Sequence, residues 1–255
     1  MENNKFPREI SLCLSGGAAK GAFHLGCISI LEEHNIEIKA ISGTSIGALI
    51  GASIASGKSA KEILEIFKSK EFKSIFKFTF TKSYLYKIDM QSPVLEELVN
   101  KHSFEELKIP LVITVTNIDN AKCEYLSRGT KLHEYILASC AISPIVEPKE
   151  IEGNLYVDGG VTDNFPVEVL QKYPYKILGI NLYPFNKKRP SSLIGWIKKI
   201  IFIAWHAPNL AKKQACDFYV SSDKLNDISL FSFKNLDKSY ELGRNEMKSH
   251  IMNKM

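Results

Sequence analysis

The sequence alternates between short apolar segments and longer segments with helical periodicity, and this alternation limits the possible folds more than any other feature. Strands that alternate with helices form a mainly parallel sheet covered on both faces, because each crossover helix packs onto the sheet. The chain is therefore predicted to adopt a three-layer α/β/α fold. Strands are predicted over residues 9–15, 37–42, 110–118, 122–127, 154–157, 175–182 and 216–221, and helices over 18–34, 45–56, 60–69, 131–140, 165–172, 192–213 and 236–253.

The length of 255 residues is enough for one large hydrophobic core. No internal repeat or low-complexity linker divides the chain, so a single domain over residues 1–255 is predicted. One stretch, residues 66–90, breaks the alternation because it is crowded with aromatic residues and lysines and has no clean period. It predicts a cap or lid at about residues 66–104. The alternative is an ordinary helical excursion that packs its aromatic side chains inward.

Composition excludes several classes of protein. The five cysteines are odd in number and include no C-x-x-C pair, which favours a reducing compartment over a disulfide framework or a zinc site. The first ten residues lack the apolar region of a signal peptide, and no apolar run reaches 18 residues, so a cytoplasmic protein is expected.

The net charge of +5 is too small to indicate a nucleic-acid partner. The basic and aromatic segment 191–213 instead suggests peripheral contact with a membrane.

A glycine-rich turn, "SGGAAKG", lies between the first predicted strand and the first predicted helix. Such a turn places backbone N–H groups where they stabilise negative charge. The dinucleotide fingerprint G-x-G-x-x-G is broken, because alanine stands at position 18 between Gly16 and Gly21. A phosphate loop at residues 51–59 also fails, since five residues separate its glycines where four are required. These failures favour a charge that exists only during a reaction.

The segment "GTSIG" has the pattern G-x-S-x-G of a nucleophile elbow, with Gly43 and Gly47 on either side of Ser45. A predicted strand precedes it and a predicted helix follows it. Small neighbours permit the tight turn that lifts a serine hydroxyl clear of the sheet, and the helix N-terminus then stabilises negative charge. Ser45 is the candidate nucleophile.

The segment "YVDGG" places Asp158 at the end of a predicted strand, followed by two glycines that allow close backbone approach. Asp163, five residues later, precedes a helix start with a proline and is interpreted as a cap. Two partners for Ser45 stay open. One is a triad in the order Ser, Asp, His, completed by His206 or His250. The other is a dyad in which a partly buried Asp158 takes the proton directly.

Taken together and in order, these motifs resemble those of the patatin-like phospholipases, lipid acyl hydrolases with a Ser-Asp dyad. "SGGAAKG" resembles the oxyanion loop of that family, "GTSIG" its nucleophile elbow and "DGG" its aspartate motif. The longer stretches "CAISPIVEPKEIEGNLYVDGGVTDNFPV" and "SYELGRNEM" extend the resemblance to nearly the full chain. It implies a patatin-like α/β/α fold that needs no metal ion and no cofactor.

The resemblance also implies roles for individual residues. Ser45 is the nucleophile and Asp158 the general base, and the backbone around Gly16, Gly17 and Ala18 forms the oxyanion hole. Alanine 18 stands where the family usually has glycine. The implied activity is hydrolysis of phospholipid or lysophospholipid esters, with a lipid acyltransferase or a non-catalytic lipid-binding protein as alternatives. The residues that support the motifs are Lys20, Gly21, Gly43, Gly47, Gly159 and Gly160.

Overall fold

The computed structural model describes residues 6–79, 83–88, 92–185, 189–230 and 233–253. Strands and α-helices alternate along most of the chain, with short 3-10 turns between several of them. In chain order they are β1 (Glu9–Leu14), α1 (Ala22–Glu33), β2 (Glu37–Thr44), α2 (Ile46–Ala55), α3 (Ala60–Lys68), α4 (Lys70–Ser74), β3 (Phe76–Phe78), β4 (Tyr86–Ile88), α5 (Pro93–Leu98), β5 (Leu111–Asn117), β6 (Lys122–Leu126), α6 (Leu132–Ser139), β7 (Lys149–Ile151), β8 (Asn154–Asp158), β9 (Lys176–Ile180), α7 (Leu193–Ala211), β10 (Phe218–Val220) and α8 (Leu236–Met252).

The main sheet of the described chain has eight strands in the order β10-β9-β1-β2-β5-β8-β7, with β6 also paired to β5. The pairs from β10 to β5 are parallel, whereas β6, β7 and β8 pair in antiparallel fashion. The predicted fold class, a mainly parallel sheet with helices against it, is confirmed. Strand β5 is buried along its whole length, which explains why it contains no charged residue.

Helix α1 is buried over residues 22–31, and α8 and α3 pack against it. Helix α2 is similarly enclosed, so both helices that follow the glycine motifs have fixed positions. No helix in the described part of the chain has both the length and the hydropathy needed to cross a bilayer.

The prediction of a helix over 165–172 was wrong. The chain there forms a loop with only a 3-10 turn, Glu168–Leu170. Phe165 and Val167 are both buried and pack in a cluster with Cys13 of β1 and Ala40 of β2. Side chains two residues apart cannot share one face of a helix, and the irregular loop is what allows both to reach the sheet.

The segment 66–104 contains α4, the β3–β4 hairpin and α5. Phe67 and Phe72 are buried and stack with ring centroids 4.5 Å apart, whereas Phe78 of β3 is 66% exposed. The hairpin also touches a loop near the candidate site, because the N–H of Tyr86 donates to the carbonyl of Ile145 at 3.0 Å. Residues 80–82 and 89–91 lie outside the described residues. A role as a cap or lid stays a prediction.

Candidate active site

Strand register brings the serine and the aspartate of the two motifs together beside β5. Thr44, the residue before Ser45, pairs with Thr114 of β5. On the other side of the same strand, Asp158 pairs with the next residue, Val115. Ser45 and Asp158 therefore reach one point from two different strands, although 112 residues separate them in the sequence.

Ser45 has the strained backbone of a nucleophile elbow. Its φ of 56° and ψ of −126° lie in a region that residues other than glycine rarely occupy. Its backbone N–H donates to Ser139 Oγ at 2.8 Å, and that hydroxyl donates to the carbonyl of Thr114 at 2.7 Å. The surrounding structure thus holds the turn in place, and the sequence contained no signal for this role of Ser139.

Two glycines are required where the backbone segments of the site meet. A Cβ on Gly47 would lie 2.3 Å from the carbonyl oxygen of Leu14, so only glycine lets α2 begin directly beside the end of β1. A Cβ on Gly16 would lie 2.3 Å from Asn164 Oδ1 and 3.2 Å from the Cβ of Ser45. The glycine loop can therefore approach the nucleophile closely.

Asp158 is buried, and its environment raises the pKa of its carboxyl group to about 6. The main cause is burial, which disfavours the charged form, while hydrogen bonds from Ser45 and from the N–H of Gly160 act in the opposite direction. The bond from Gly160 to Asp158 Oδ1 measures 2.7 Å. A carboxylate with a pKa near 6 is a far better base than a free aspartate, and it is still ionised at neutral pH.

The loop after β1 presents two backbone donors. The N–H groups of Gly16 and Ala19 are already used, because they donate to protein carbonyl groups at 3.2 and 2.8 Å. Within the described part of the chain, the N–H groups of Gly17 and Ala18 have no such acceptor. Both residues line the pocket that contains Ser45. This pair of donors, next to a serine hydroxyl, is the arrangement that stabilises an oxyanion.

Ala18 has a φ of 47°, so the one departure from the glycine pattern falls on a left-handed residue. Ala18→Gly is expected to raise the free energy of unfolding by about 0.5 kcal/mol, because relief of the left-handed strain exceeds the added entropy of the unfolded chain. Urea unfolding measures the change. The control is Ala19→Gly, which is expected to destabilise the protein by about 1 kcal/mol. Equal decreases in the free energy of unfolding for both variants would contradict the prediction.

Lys20 is buried, and burial lowers the pKa of its ammonium group to about 8. Its Nζ lies 5.3 Å from the centre of the Tyr183 ring, and Tyr183 lines the pocket. A cation over an aromatic face is attracted by the ring. Lys20 therefore contacts the pocket wall through Tyr183, a residue that the sequence patterns did not single out.

The pocket around Ser45 and Asp158 has a volume of about 60 Å³. This is far below the several hundred Å³ of a site that encloses a drug-sized ligand, so the pocket holds the reacting group and little more. An open depression of about 630 Å³ lies elsewhere and shares no residue with it. The pocket is lined by Gly17, Ala18, Ser45, Ile142, Ser143, Asp158, Gly160, Val161, Asn164 and Tyr183.

Asn164 was also missed by the sequence patterns. It is buried in the pocket wall, its carbonyl accepts the N–H of Gly16, and its side-chain Nδ2 has no partner in the described protein.

The remaining glycines of the motifs make close contacts. A Cβ on Gly21 would meet Ile46, one on Gly43 would meet Gly47, one on Gly159 would meet Thr114, and one on Gly160 would meet Asn164.

His250, one of the two histidines that could complete a triad, does not line this pocket. The ring of His250 packs against Phe6 and Phe218 at centroid distances of 6.2 and 6.0 Å. The side chain of His206 lies outside the described part of the structure.

Asp163 has a structural role, because its Oδ1 accepts the N–H of Phe165 at 3.0 Å and its Oδ2 is 2.8 Å from Lys212 Nζ.

The fold and the site define a class: a three-layer α/β protein in which a serine at a strand-to-helix elbow faces a buried aspartate beside a glycine-rich loop. The sequence profile of the patatin-like phospholipases matches residues 12–170. The chain belongs to the patatin-like phospholipase family.

Comparison with individual proteins gives the same picture. The chain is 34% identical over 170 residues to lysophospholipase NTE1 of Mycosarcoma maydis, covering 63% of this chain and 9% of that protein. It is 29% identical over 201 residues to an uncharacterized NTE family protein of Mycobacterium tuberculosis, covering 75% of this chain and 55% of that one. The chain thus spans about a tenth of the length of the first relative and about half the length of the second. The crystal structure of VipD from Legionella pneumophila shares the fold, with a TM-score of 0.57, 14% identity, and coverage of 98% of this chain and 68% of that chain.

Proposed function

We propose that this protein is a serine lipid acyl hydrolase that cleaves carboxylic ester bonds of phospholipids or lysophospholipids through Ser45 and Asp158. The observation that supports this most is the strained backbone of Ser45, in the same pocket as the buried carboxyl group of Asp158, whose pKa is about 6. The family and the relative named as a lysophospholipase point to the substrate class.

The reaction follows from the positions of these groups. Ser45 Oγ attacks the ester carbonyl carbon while Asp158 takes its proton, and the N–H groups of Gly17 and Ala18 stabilise the oxyanion, with each donor worth about 3 kcal/mol. The tetrahedral intermediate collapses, the alcohol leaves with the proton from Asp158, and an acyl-enzyme remains. Water then attacks the acyl group while Asp158 takes its proton, and Asp158 returns that proton to Ser45 Oγ as the fatty acid is released.

A panel of phospholipids and lysophospholipids tests this proposal, with products identified by mass spectrometry. We expect release of free fatty acid together with the matching lysophospholipid or glycerophosphodiester. Failure to hydrolyse any ester would overturn it. Transfer of the acyl group to an added alcohol or lysolipid at the expense of free fatty acid would favour the acyltransferase alternative, because both reactions share the acyl-enzyme.

The pH profile provides an independent prediction for the role of Asp158. Below its pKa of about 6, Asp158 is protonated and cannot accept the proton of Ser45. We therefore expect kcat/KM to rise tenfold per pH unit at acidic pH and to level off with an apparent pKa of about 6. Initial rates on a soluble ester between pH 4.5 and 7.5 measure this. A midpoint near 4, the value of a free aspartate, would contradict it.

Peripheral contact with a membrane forms the second part of the proposal, and α7 is the candidate element. Apolar side chains along one side of this helix are exposed at spacings of three and four residues, namely Leu193, Trp196, Ile197, Ile200 and Ile203. Phe202, on the opposite side, contacts Tyr183 of the pocket wall with ring centroids 6.1 Å apart. Helix α7 thus lies against the pocket wall, and its exposed apolar side faces away from Tyr183. An acyl chain too large for the pocket can remain in a lipid layer against this side.

Ile200→Glu is expected to weaken binding to phospholipid vesicles at least about tenfold, because burying one isoleucine contributes about 2 kcal/mol. Hydrolysis of a soluble short-chain ester should not change. Vesicle co-sedimentation and the soluble assay measure the two effects. Ser191→Glu, at the exposed start of the same region, is the matched control for added charge. Equal effects of both variants on vesicle binding would remove α7 from the proposal.

A further inference from the structure

A second cluster of polar side chains, whose donor atoms lie close enough together to bind a metal ion, is found outside the pocket around Ser45. Glu96 on α5, His102 in the loop that follows, and His133 near the start of α6 each offer one donor atom, and these atoms all lie within 4.8 Å of one another. His102 Nε2 is 3.7 Å from Glu96 Oε1, and the rings of the two histidines are 5.0 Å apart. None of the three residues lines the pocket around Ser45.

The backbone holds the two histidines next to each other. The N–H of Leu132, the neighbour of His133, donates to the carbonyl of His102 at 3.2 Å. Two residues beyond His102, the N–H of Phe104 donates to the carbonyl of Gly129 at 3.1 Å. The loop before β5 and the approach to α6 therefore run together, so the positions of both imidazole rings do not depend on a direct bond between the side chains.

His133 is already set in one tautomer. Its Nε2 lies 2.8 Å from the carbonyl oxygen of Val99, and since a carbonyl only accepts, the proton is on Nε2. The lone pair is then on Nδ1. A histidine whose second nitrogen donates to a backbone carbonyl is oriented in the way that metal-binding histidines are.

The donor chemistry selects the kind of cation. Two imidazoles and one carboxylate suit zinc and related transition metals, whereas calcium and magnesium take oxygen ligands alone. Ligands around a tetrahedral zinc ion lie about 3.3 Å apart, as bond lengths of about 2.0–2.1 Å require. The side chains of Glu96 and His102 are 53% and 68% exposed, so they can rotate by the small amount that separates the observed distances from this value.

From this arrangement we infer a binding site for one divalent transition-metal ion, of the zinc type, at Glu96, His102 and His133. Solvent supplies the remaining coordination position, because the cluster lies at the surface. The ion would join α5 to α6. Ser139, which supports the nucleophile, lies at the other end of α6, six residues or about 9 Å along the helix from His133. The site is therefore structural and does not take part in ester cleavage.

The test uses the full chain, treated with a chelator and dialysed, and titrated with zinc ions by calorimetry. Binding of one ion and a rise in Tm of about 5 °C at zinc concentrations far above Kd are expected, since an ion that binds only the folded state stabilises it. Cobalt ions provide a second readout, because four-coordinate cobalt absorbs visible light. Failure of zinc to bind or to raise Tm would overturn the inference.

Variants separate this cluster from other metal-binding groups, including the free cysteines. His102→Ala and Glu96→Gln should each weaken zinc binding at least about tenfold, and both residues are exposed enough that folding is retained. The matched controls are His34→Ala, another exposed histidine, and Glu97→Gln, the neighbour of Glu96 on α5. Unchanged zinc binding in His102→Ala, or equal losses in the controls, would show that the ion binds elsewhere. Neither outcome depends on the ester hydrolase activity.

Discussion

Replacing Ser45 with alanine is expected to lower kcat for ester hydrolysis by about 10⁴-fold or more, to the level that binding and the oxyanion donors alone provide. The covalent route disappears because the other described hydroxyls nearby are already used: Thr44 donates to the carbonyl of Asp163 at 2.9 Å and Ser143 to that of Val146 at 2.9 Å. Labelling by a fluorophosphonate probe, which traps an activated serine, should be lost at the same time. Folding should be retained, since the backbone N–H of Ser45 still donates to Ser139 Oγ; circular dichroism and the Tm check this.

The matched control is Ser53→Ala on α2. Ser53 is buried as Ser45 is, but its hydroxyl donates to the carbonyl of Leu49 at 2.8 Å within the helix. This variant should keep both the labelling and the hydrolysis. If Ser45→Ala still reacted with the probe and hydrolysed esters at a rate close to that of the unmodified protein, Ser45 would not be the nucleophile.

Asp158→Asn is expected to lower kcat by about 10³–10⁴-fold, because an amide keeps the shape of the carboxyl group but cannot accept the serine proton. The amide oxygen can still accept the N–H of Gly160, which bonds Asp158 Oδ1 at 2.7 Å. Loss of activity would therefore report on the proton transfer and not on a collapsed loop. Normal hydrolysis by this variant would exclude the dyad, and loss of activity in His250→Ala or His206→Ala would support the triad.

The same substitution is expected to stabilise the protein at neutral pH. The pKa of Asp158 is about 6 in the folded protein and about 3.9 in an unfolded chain, so the folded state binds the proton more tightly. The favourable contribution of protonated Asp158 is complete below pH 4 and is lost as pH rises through 6. The two pKa units of difference correspond to about 3 kcal/mol. The free energy of unfolding of Asp158→Asn should thus exceed that of the unmodified protein by up to about 3 kcal/mol at pH 8 and equal it near pH 4.

Asp163→Asn provides the contrasting control, because Asp163 has the cationic partner that Asp158 lacks among the described ion pairs. Lys212 Nζ lies 2.8 Å from Asp163 Oδ2, and the hydroxyl of Tyr125 donates to the same oxygen at 2.8 Å. Removing this charge leaves Lys212 with a weaker set of partners, so the free energy of unfolding should fall. Urea unfolding of Asp158→Asn and Asp163→Asn at pH 4 and pH 8 measures both changes in the free energy of unfolding. A fall in stability for Asp158→Asn at pH 8 would contradict the account of its buried charge.

Much of the fold could be predicted from the sequence, because local patterns carry it. Buried strands such as β1 and β5 are short segments rich in apolar residues, and the glycines at positions 16, 43 and 47 mark turns that no larger residue permits at those contacts. The expectation of a helix over 165–172 failed because tertiary packing overrides propensity. Phe165 and Val167 both reach the sheet, and their burial outweighs the helical bonds that the segment gives up.

The parts of the candidate site that sequence reasoning did not find come from distant segments. Ser139 is an ordinary helical serine in the sequence, and its role appears only because α6 ends beside the Ser45 elbow. Tyr183 follows β9, and it belongs to the pocket because β9 pairs with β1, whose glycine loop faces it. Neither residue is part of a motif, since a single polar or aromatic side chain has no local pattern to distinguish it.

The sequence by itself determined which residue types stand at each turn: a serine between small residues, an aspartate before two glycines, and a glycine-rich loop with an alanine at position 18. These are local properties, because a turn is set by the few residues within it. Only the tertiary structure decided that Ser45 and Asp158 meet across β5, that Asp158 is buried enough for its pKa to reach about 6, and that Gly17 and Ala18 keep their N–H groups for a ligand. Desolvation and strand register depend on segments more than a hundred residues apart, and no local pattern contains them.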